Sequence, residues 1–501
     1  MVNNLEKQLV PVGFASQPKE PTDQEVYAMI DSVMNQILGP QGLAAMIKPG
    51  DKVILKVNLV GASVGAHGEK GRGVITDPRI VRYVAEKVRE IIGFAEPADL
   101  MVLDATHYTD PNPSLKSSPS SFYWARLERN GDNAVDNGDV CYDSDGDGIL
   151  DGTSRARIVN ADSIDSARRQ AYPVKVADSD DVIVCLPKLL RTREEAGGSD
   201  EYCDVLIGLP LLKSHGLVGI TGALKLHYGL RHFLGMQGDT GRYGHNGLYI
   251  DASGYHHKQD LINYLCAQQL VRKYDLVIMD CLAGNRKGPT NPYGEISNNP
   301  YPDEAVDYVL THAIMAGRDP VAIDTVETVL AGYDPGSIPL LETAVRNGLG
   351  TGDPQWIDLQ ALTEFGEHRQ TLYNSYTRDQ YPFQDGWGEA RIRENFVSNF
   401  NVQFTPPHLE HDEVYSIEYE IGSQSKPKLQ LVRVELWVFN QRLDFLNQDR
   451  MEPGSTLEHG RFEVDLAKTG LPKGTYLPWR LILWDESFNC TFSSEIDVLF
   501  S

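Results

Sequence analysis

The chain has 501 residues, of which 41% are hydrophobic and 23% are charged, so it has apolar material for two or three domains. Its 46 Lys and Arg residues against 70 Asp and Glu residues give a formal net charge of −24 at pH 7. That charge argues against a nucleic-acid surface, which needs a basic footprint. No apolar run reaches the roughly 18 residues that a membrane span needs.

The first two predicted helices are marked by their N-terminal signals. Thr22 and Glu25 have the spacing of a capping box, and apolar residues then recur at helical period. Asp77 and Pro78 open the second helix, since Pro is favoured at the first helical position, and Gly93 ends it. Further helices are predicted at about 259–271 and from 319 to about 332.

Short apolar runs between these helices predict the strands of a sheet. They cover residues 53–60, 100–104, 182–187, 205–210, 276–280 and 313–317. Apolar runs of this length, separated by helices, are typical of parallel strands that are covered on both faces. The sequence therefore predicts an α/β fold, with a mostly parallel sheet covered by helices on both faces.

The C-terminal part of the sequence has a different apolar period. From about residue 413 the period is two, as in the run 432–440, and the runs 476–484 and 496–500 are further strand candidates. This pattern predicts a C-terminal antiparallel β-sandwich, which we expect to serve as a spacer or assembly surface rather than in catalysis. The predicted parts are 1–107 and 166–363 for the α/β domain, 108–165 for an insert, 364–412 for a linker and 413–501 for the sandwich.

An acidic stretch at 130–154 lies within the predicted insert and has the spacing of a calcium loop. Loop positions 1, 3, 5 and 9 carry carboxylates, position 6 carries a glycine for the sharp turn, and position 7 offers a backbone carbonyl. In that order, the residues are Asp143, Asp145, Asp147, Asp151, Gly148 and Ile149. A hard cation with six to eight oxygen ligands is the expected occupant, because the like charges would otherwise repel.

The loop departs from the sensor type of calcium loop at position 12, where Ser154 replaces the bidentate Glu. It resembles thrombospondin-type-3 and dockerin-like calcium repeats more closely. Asp132 and Asp136 are candidates for a second, irregular site. The alternative is a solvated acidic loop without an ion. Because weak calcium sites of roughly 10⁻⁴–10⁻³ M are normal in extracellular modules, an extracellular or periplasmic location is expected, although the N-terminal residues include no apolar leader.

Four ordered segments resemble the domain of unknown function 362 family. They are residues 50–60 (GDKVILKVNLV), 76–78 (TDP), 209–225 (LPLLKSHG with TGALK) and 280 with 316–324 (AGRDPVAID). Val57 stands where the family has Pro, and Leu226 stands where Asn is usual. The resemblance spans about residues 11–335 without the insert, and it implies an α/β architecture but no assigned reaction.

Charged and amide side chains follow the predicted strand ends, where open α/β sheets bind ligands. The candidate site residues are Lys56, Asn58, Lys213, His215, Lys225 and Asp280. Lysines, an imidazole and a carboxylate in one cleft suit a small anionic ligand or acid–base chemistry. The alternative for Lys56 is a structural ion pair with Asp104 or Asp280. For Asp324 we expect a structural role.

Metals and redox cofactors other than calcium have weaker support. Six histidines lie close together in the sequence: His215, His227, His232, His245, His256 and His257. Imidazoles suit zinc, iron, nickel or copper, but there is no HExxH motif, so a transition metal is a secondary hypothesis. Some relatives carry ferredoxin-like clusters, yet the six cysteines form no CxxC pair, which makes a redox partner the third hypothesis.

Two hypotheses for the function remain open. In the first, the chain is a calcium-stabilised, exported α/β protein with an anion-binding or acid–base cleft. In the second, it is an extracellular structural protein that reuses the fold and associates with itself through the calcium insert and the β-sandwich. The sequence leaves open whether the chain is an enzyme, and it does not identify the substrate.

Overall fold

The structure is a computed structural model, and its described residues form a series of segments. They are 9–59, 73–94, 99–105, 126–127, 140–143, 147–151, 155–176, 182–215, 218–230, 258–285, 308–331, 335–363, 366–372, 400–404, 414–423, 431–438, 441–447, 457–465, 475–485, 490–492 and 496–500. The chain divides into two compact units. The larger, α/β unit comprises Val10–Glu327 and Leu340–Ser375, and the second comprises Met1–Leu9, Thr328–Pro339 and Tyr376–Ser501.

Most α-helices of the described residues belong to the larger unit. The helices are α1 (Asp23–Leu38), α2 (Pro78–Ile92), α3 (Arg193–Ala196), α4 (Gly222–Leu226), α5 (Lys258–Val271), α6 (Pro320–Leu330) and α7 (Pro339–Arg346). Short 3₁₀ turns are Gly42–Ala45, Ala161–Ser163, Ser166–Arg168, Lys188–Leu190, His227–Leu230, Pro335–Ser337 and Pro354–Trp356.

The strands of the larger unit come first in the chain. They are β1 (Val10–Ser16), β2 (Val53–Val57), β3 (Leu100–Asp104), β4 (Arg126–Leu127), β5 (Val140–Cys141), β6 (Arg157–Asn160), β7 (Arg169–Val174), β8 (Val182–Pro187), β9 (Val205–Leu209), β10 (Leu211–His215), β11 (Gly219–Ile220), β12 (Leu276–Asn285), β13 (Tyr308–Gly317), β14 (Ile357–Thr363) and β15 (Gly366–Thr371). The strands of the second unit are β16 (Phe400–Phe404), β17 (Val414–Ser423), β18 (Leu431–Val438), β19 (Gln441–Asn447), β20 (Leu457–Asp465), β21 (Thr475–Asp485), β22 (Cys490–Phe492) and β23 (Ile496–Phe500).

The central sheet of the larger unit is mostly parallel. Its strand order is β15-β14-β1-β13-β12-β9-β2-β3-β6, with β10 and β11 joined beside β12. Strands β6, β3, β2, β9 and β12 pair in parallel, whereas β13 is antiparallel to both of its neighbours and β15 is antiparallel to β14. The carboxyl ends of β2, β3, β9 and β12 therefore lie along one edge of the sheet, which we call the C-terminal edge.

Helices lie around this sheet because their apolar faces need cover. The helix α1 packs against β1 and β13, α2 packs against β2 and β3, and α4 packs against β9, β10 and β12. The core between α1, α2 and the sheet includes Val33, Val84, Leu55, Val102 and Ile207, all of which are buried. Side chains alternate along a strand, so Lys56 points away from the face that carries Leu55. The predicted α/β class is confirmed.

The helix signals of the sequence are confirmed at both predicted N-termini. The Thr22 hydroxyl accepts from the Glu25 amide, and the Glu25 carboxylate accepts from the Thr22 amide. The Asp77 carboxylate caps α2 by accepting from the Arg79 amide, and α2 ends before Gly93, whose φ is +93°. A side chain at that φ would be strained, which explains why a glycine ends the helix.

Two predicted strands differ from the parallel arrangement that the sequence favoured. The run 182–187 is β8, which pairs antiparallel with β7 in a two-stranded sheet of its own. The run 313–317 is the end of the longer strand β13, which is antiparallel to β12. Apolar runs of this kind report burial but not strand direction, so these two strands could not be distinguished from the others in the sequence.

The second unit contains two antiparallel sheets in its described part. One has the order β16-β17-β20, and the other has the order β19-β18-β21-β22 with β23 beside β21. Val434, Leu436, Trp479 and Leu481 are buried, in agreement with the period of two. The segment predicted as a linker, 364–412, contains β15, which pairs with β14, and β16. In neither unit does a described helix have the length and apolar character needed to cross a bilayer.

Candidate functional site

A short segment after β2, Val74–Asp77, crosses the C-terminal edge and is hydrogen-bonded near the ends of β2 and β9 and to β12. The Thr76 hydroxyl donates to the Leu209 carbonyl (2.8 Å) at the end of β9, and it accepts from the Asn58 amide (3.0 Å) after β2. The Asp77 amide donates to Asp280 Oδ2 (2.8 Å) in β12. Two of the predicted site residues, Asn58 and Asp280, therefore contact the same segment.

Lys56 forms a buried ion pair with the carboxylate at the end of β3. Its Nζ lies 2.7 Å from Asp104 Oδ1 and also donates to the Val57 carbonyl (2.6 Å). Asp104 Oδ2 accepts from the Leu59 amide (2.5 Å). Burial lowers the pKa of Lys56 and raises the pKa of Asp104, while each charge opposes the shift of the other. This is the ion pair that the sequence offered as the alternative for Lys56, with Asp104 rather than Asp280 as its partner.

The backbone of the turn His227–Leu230 covers this ion pair closely. A Cβ at Gly229 would lie 2.2 Å from Asp104 Oδ1 and 2.8 Å from Lys56 Nζ, so only glycine fits there. The ion pair is therefore enclosed on that side by main chain. This enclosure is consistent with a structural role for the pair.

Lys213 is buried as deeply as Lys56, but its partners are different. Its Nζ donates to the Val74 carbonyl (2.9 Å) and lies 3.4 Å from Asn58 Oδ1. No carboxylate in the described part of the chain lies within ion-pair distance of this amine. Burial lowers the pKa of Lys213 well below its usual value, and the nearby charge of Lys225 lowers it further.

Two carboxylates of α6 accept hydrogen bonds from the backbone of α4, which carries Lys225, and of β10, which carries Lys213. Asp324 accepts from the Ala223 amide (2.6 Å) and from the Leu224 amide (2.9 Å) at the start of α4. Glu327 Oε1 accepts from the Lys213 amide (3.1 Å). The structural role expected of Asp324 is therefore shared with Glu327, three residues later on the same face of the helix.

Gly222 lies directly against both carboxylates. Its φ is +42°, and a Cβ there would lie 2.4 Å from Asp324 Oδ1 and 2.4 Å from Glu327 Oε2. The two oxygens are at most twice that distance apart. Burial raises the pKa of Asp324 to about 8, and burial together with the charge of Asp324 raises the pKa of Glu327 well above its usual value. Near neutral pH the pair holds at least one proton.

Asp280 lies in the middle of β12 and accepts two backbone hydrogen bonds. Its Oδ2 accepts from the Asp77 amide and its Oδ1 accepts from the Leu282 amide (3.0 Å). Burial raises its pKa to about 7, and the charge of Asp77 adds to that shift. A carboxylate with this pKa exists in both protonation states at neutral pH, which suits a general acid or base.

Of the remaining predicted residues, Lys225 and His227 are buried within the same region. Lys225 Nζ lies 5.4 Å from the centre of the Tyr228 ring. His227 Nδ1 accepts from Gln269 Nε2 (2.9 Å), and burial lowers the pKa of His227 well below its usual value, so it is neutral. The backbone of His215 pairs with Gly219. His232, His245, His256 and His257 lie outside the described residues.

The described part of the acidic loop has the backbone of a tight turn. Asp143 Oδ2 accepts from the Gly148 amide (3.0 Å), Asp147 Oδ1 accepts from the Ile149 amide (2.7 Å), and Gly148 has a φ of +82°. Asp151 lies 3.4 Å from Arg82. The described residues contain no group of three or more His, Cys, Asp or Glu side chains that could hold a metal ion. Asp132, Asp136 and Asp145 lie outside them.

Tyr142, next to that loop, contacts the C-terminal edge. Its hydroxyl donates to the Thr76 carbonyl, and the side chain is fully buried. Tyr142, Thr76, Gly222 and Glu327 were not among the site residues predicted from the sequence. For Glu327 a signal existed, because it follows Asp324 at i+3 on a predicted helix, and for Gly222 the TGALK segment marked the region without its role.

These observations define an α/β protein whose charged and amide groups gather at the C-terminal edge of a mostly parallel sheet. The chain belongs to the family described as Domain of unknown function (DUF362), whose model matches residues 53–328. The resemblance predicted from the sequence is thereby confirmed. The matched range contains all of the C-terminal edge residues described above, from Lys56 to Glu327. No curated protein matches the chain.

Two solved structures share limited similarity with the chain. The spore cortex lytic enzyme SleM of Clostridium perfringens is 14% identical over 18% of this chain and 27% of its own length, with a TM-score of 0.12. The transglutaminase of red sea bream is 11% identical over 37% of this chain and 31% of its own length, with a TM-score of 0.17. The chain thus spans about a third or less of either protein, and neither similarity bears on its fold or function.

Proposed function

We propose that the larger unit binds a small anionic ligand at the C-terminal edge of its sheet and performs acid–base chemistry there. The observation that carries this proposal is the Lys213 amine, which is buried against two neutral oxygens without a carboxylate partner among the described residues. An unpaired buried ammonium is costly, so the amine is neutral until an opposite charge arrives.

The other lysines of the edge support an anion rather than a cation as the ligand. The charges of Lys225 and Lys56 lower the pKa of Lys213, whereas those of Asp104 and Glu327 raise it, so both other amines lie within electrostatic reach of Lys213. Asp104 balances Lys56. A bound phosphate or carboxylate would raise the pKa of Lys213 so that the amine takes up a proton.

Asp280 supports the acid–base part of the proposal. Its pKa of about 7 places the proton exchange of this carboxyl at neutral pH, and it contacts the Val74–Asp77 segment, which crosses the edge where ligands of open α/β sheets bind. Activity that depends on deprotonated Asp280 would rise through about pH 7, and activity that depends on the acid would fall there.

Isothermal titration with inorganic phosphate, acetate and pyruvate tests anion binding. We expect saturable binding of at least one probe to the wild-type chain, with proton uptake seen as heat that depends on the buffer. Lys213→Met should weaken binding tenfold or more, whereas Lys87→Met, a change on the outer face of α2, should leave it unaltered. A folded wild-type chain that binds none of the three probes would refute the proposal.

We also propose a calcium ion in the acidic loop, because the turn around Gly148 and the density of carboxylates suit one. Elemental analysis before and after chelation, with a thermal shift on adding calcium, tests it. About one or two calcium ions per chain and a higher melting temperature are expected, and Asp143→Asn should reduce both. The same analysis tests the secondary hypothesis of a transition metal at the histidines, which predicts a stoichiometric zinc, iron, nickel or copper content.

Weak calcium binding, in turn, supports an extracellular or periplasmic location, since free calcium reaches the required concentration there. Cell fractionation tests the location directly. The alternative function, an assembly protein that associates through the insert and the C-terminal sheets, predicts oligomers in calcium buffer. Light scattering that gives the mass of one chain under those conditions would contradict it.

A further inference from the structure

We propose that Lys213 is an amine nucleophile that forms an imine with the carbonyl group of a small carboxylate-bearing ligand, such as a 2-oxo acid. This inference rests on the proposed anion site and names the ligand class and the reacting atom. It is carried by the hydrogen-bond geometry of the amine and by a comparison with Lys56.

The partners of Lys213 match those of a neutral amine. A neutral amine has two N–H donors and one lone pair, whereas an ammonium has three donors. The described structure gives Lys213 Nζ two acceptors, the Val74 carbonyl and Asn58 Oδ1. Both N–H groups are thus engaged, and the lone pair, which has no donor partner in the described segments, is left for attack on a carbonyl carbon.

The surroundings of Lys213 favour the neutral form in a way that is known to activate lysine. A lysine becomes nucleophilic when it is desolvated or lies beside another cation. Lys213 is fully buried and lies within reach of the charges of Lys56 and Lys225. A ligand whose carboxylate accompanies its carbonyl group would bring an opposite charge to this region.

Lys56 is excluded from this role by its own contacts. Its Nζ is held by Asp104 and by the Val57 carbonyl, and Gly229 closes the space beside it. An ammonium in an ion pair has no lone pair to donate. Of Lys56 and Lys213, only Lys213 has the geometry of a nucleophile.

The step balances without an oxidant or reductant. The Lys213 nitrogen forms a bond to the carbonyl carbon, and the carbonyl oxygen takes a proton to give a carbinolamine. That oxygen then leaves as water after a second protonation, while the nitrogen loses its remaining protons to form the C=N bond of the neutral imine. Asp280, at the same edge of the sheet, is a titratable group able to carry protons in this exchange.

Reductive trapping tests the proposal on the full chain. The protein is incubated with pyruvate and sodium cyanoborohydride near pH 7, and the adduct is located by intact mass and peptide mapping. We expect one reduced adduct on Lys213, at an occupancy at least tenfold above that of any other lysine. Lys87→Met should keep this adduct, and acetate in excess should reduce it by competing for the anion site.

Lys213→Arg separates this inference from the proposed anion site. Arginine keeps a positive charge but forms no imine of this kind, so the variant should retain anion binding while it loses the adduct. If the wild-type chain binds anions through Lys213 but yields no adduct, the imine is overturned and the anion site stands. An adduct confined to other lysines would overturn it as well, and a lack of binding by every probe would overturn the anion site first.

Discussion

Lys56 and Lys213 belong to neighbouring regions of the same sheet edge, yet the two regions treat a buried amine in opposite ways. The Lys56 region provides a carboxylate at 2.7 Å and closes around the ion pair with main chain. The Lys213 region provides two neutral oxygens, and burial and the charge of Lys225 lower the pKa of the amine more than Asp104 and Glu327 raise it. Residue type and burial are equal, so the difference lies in charge balance alone.

This contrast supports a structural role for Lys56 and the proposed ligand-binding role for Lys213. A buried pair that satisfies itself needs nothing further, and losing one partner is then strongly destabilising. A buried amine without a charge partner lowers the stability of the fold, and a ligand of opposite charge can restore that stability. The four variants below test this contrast, in order of decreasing expected effect.

The largest effect is expected for Lys56→Met. The change leaves the Asp104 carboxylate buried without its partner, which should lower the free energy of unfolding by about 3–5 kcal/mol. Urea unfolding followed by circular dichroism measures it. The double variant Lys56→Met with Asp104→Leu should recover most of the loss, because no uncompensated charge remains. A loss below about 1 kcal/mol for the single variant would show that the ion pair is not balanced as described.

Gly222→Ala should have the next largest effect, and it acts on the Lys213 region without changing a charge. The new Cβ would meet Asp324 and Glu327 at 2.4 Å, and Glu327 holds the Lys213 amide. Gly197→Ala is the matched control, since Gly197 has a φ of +57° and nothing within 4 Å of its Cβ position. Gly222→Ala should cost about 1–3 kcal/mol more than the control in urea unfolding. Equal losses would mean that the carboxylates move aside freely.

Lys213→Met should change the stability by only about 1 kcal/mol near pH 7, because a methionine of similar size removes a poorly compensated amine. The pH dependence is more informative. The folded pKa of Lys213 is lowered, so the unfolded chain binds more protons below its ordinary pKa, and wild-type stability should rise towards high pH. Comparing unfolding near pH 7 and pH 9, Lys213→Met should lose part of that rise. An unchanged slope would contradict a neutral Lys213.

The smallest effect is expected for Lys87→Met, which sets the scale for a solvated lysine. The Lys87 side chain is 35% exposed and lies 3.5 Å from Glu90 on the same helix. Exposed pairs of this kind contribute little, so the free energy of unfolding should change by about 0.5 kcal/mol or less. If Lys87→Met lowered the free energy of unfolding as much as Lys56→Met, burial could not explain the effect of Lys56→Met.

The sequence predicted the elements of the edge better than their connections. The helix signals at Thr22 and Asp77, and the strand at 100–104, agree with the structure because they are local. The direction of β13 and the separate pairing of β8 could not be predicted from the sequence. Strand partners depend on contacts between residues that are distant in the chain.

The candidate site shows the same division. Lys56, Lys213 and Asp280 were visible as polar residues in or after apolar runs. That Asp104 rather than Asp280 pairs with Lys56 was not visible, because both follow a strand in the sequence. Tyr142 was missed since its hydroxyl reaches Thr76 across 66 residues, and no local pattern reports such a contact.

The hydrogen bonds from α6 to the segment after β10 have a consequence for the order in which the chain is made. Glu327 follows Lys213 by 114 residues, and Asp324 follows Leu224 by 100. At about 5–20 residues per second, a ribosome needs roughly 5–20 s to travel that far. During that interval the backbone amides of the TGALK segment lack their carboxylate acceptors. The strands of β2 and β3 can pair early, whereas the part of the edge that holds Lys213 and Lys225 is completed only when α6 has emerged.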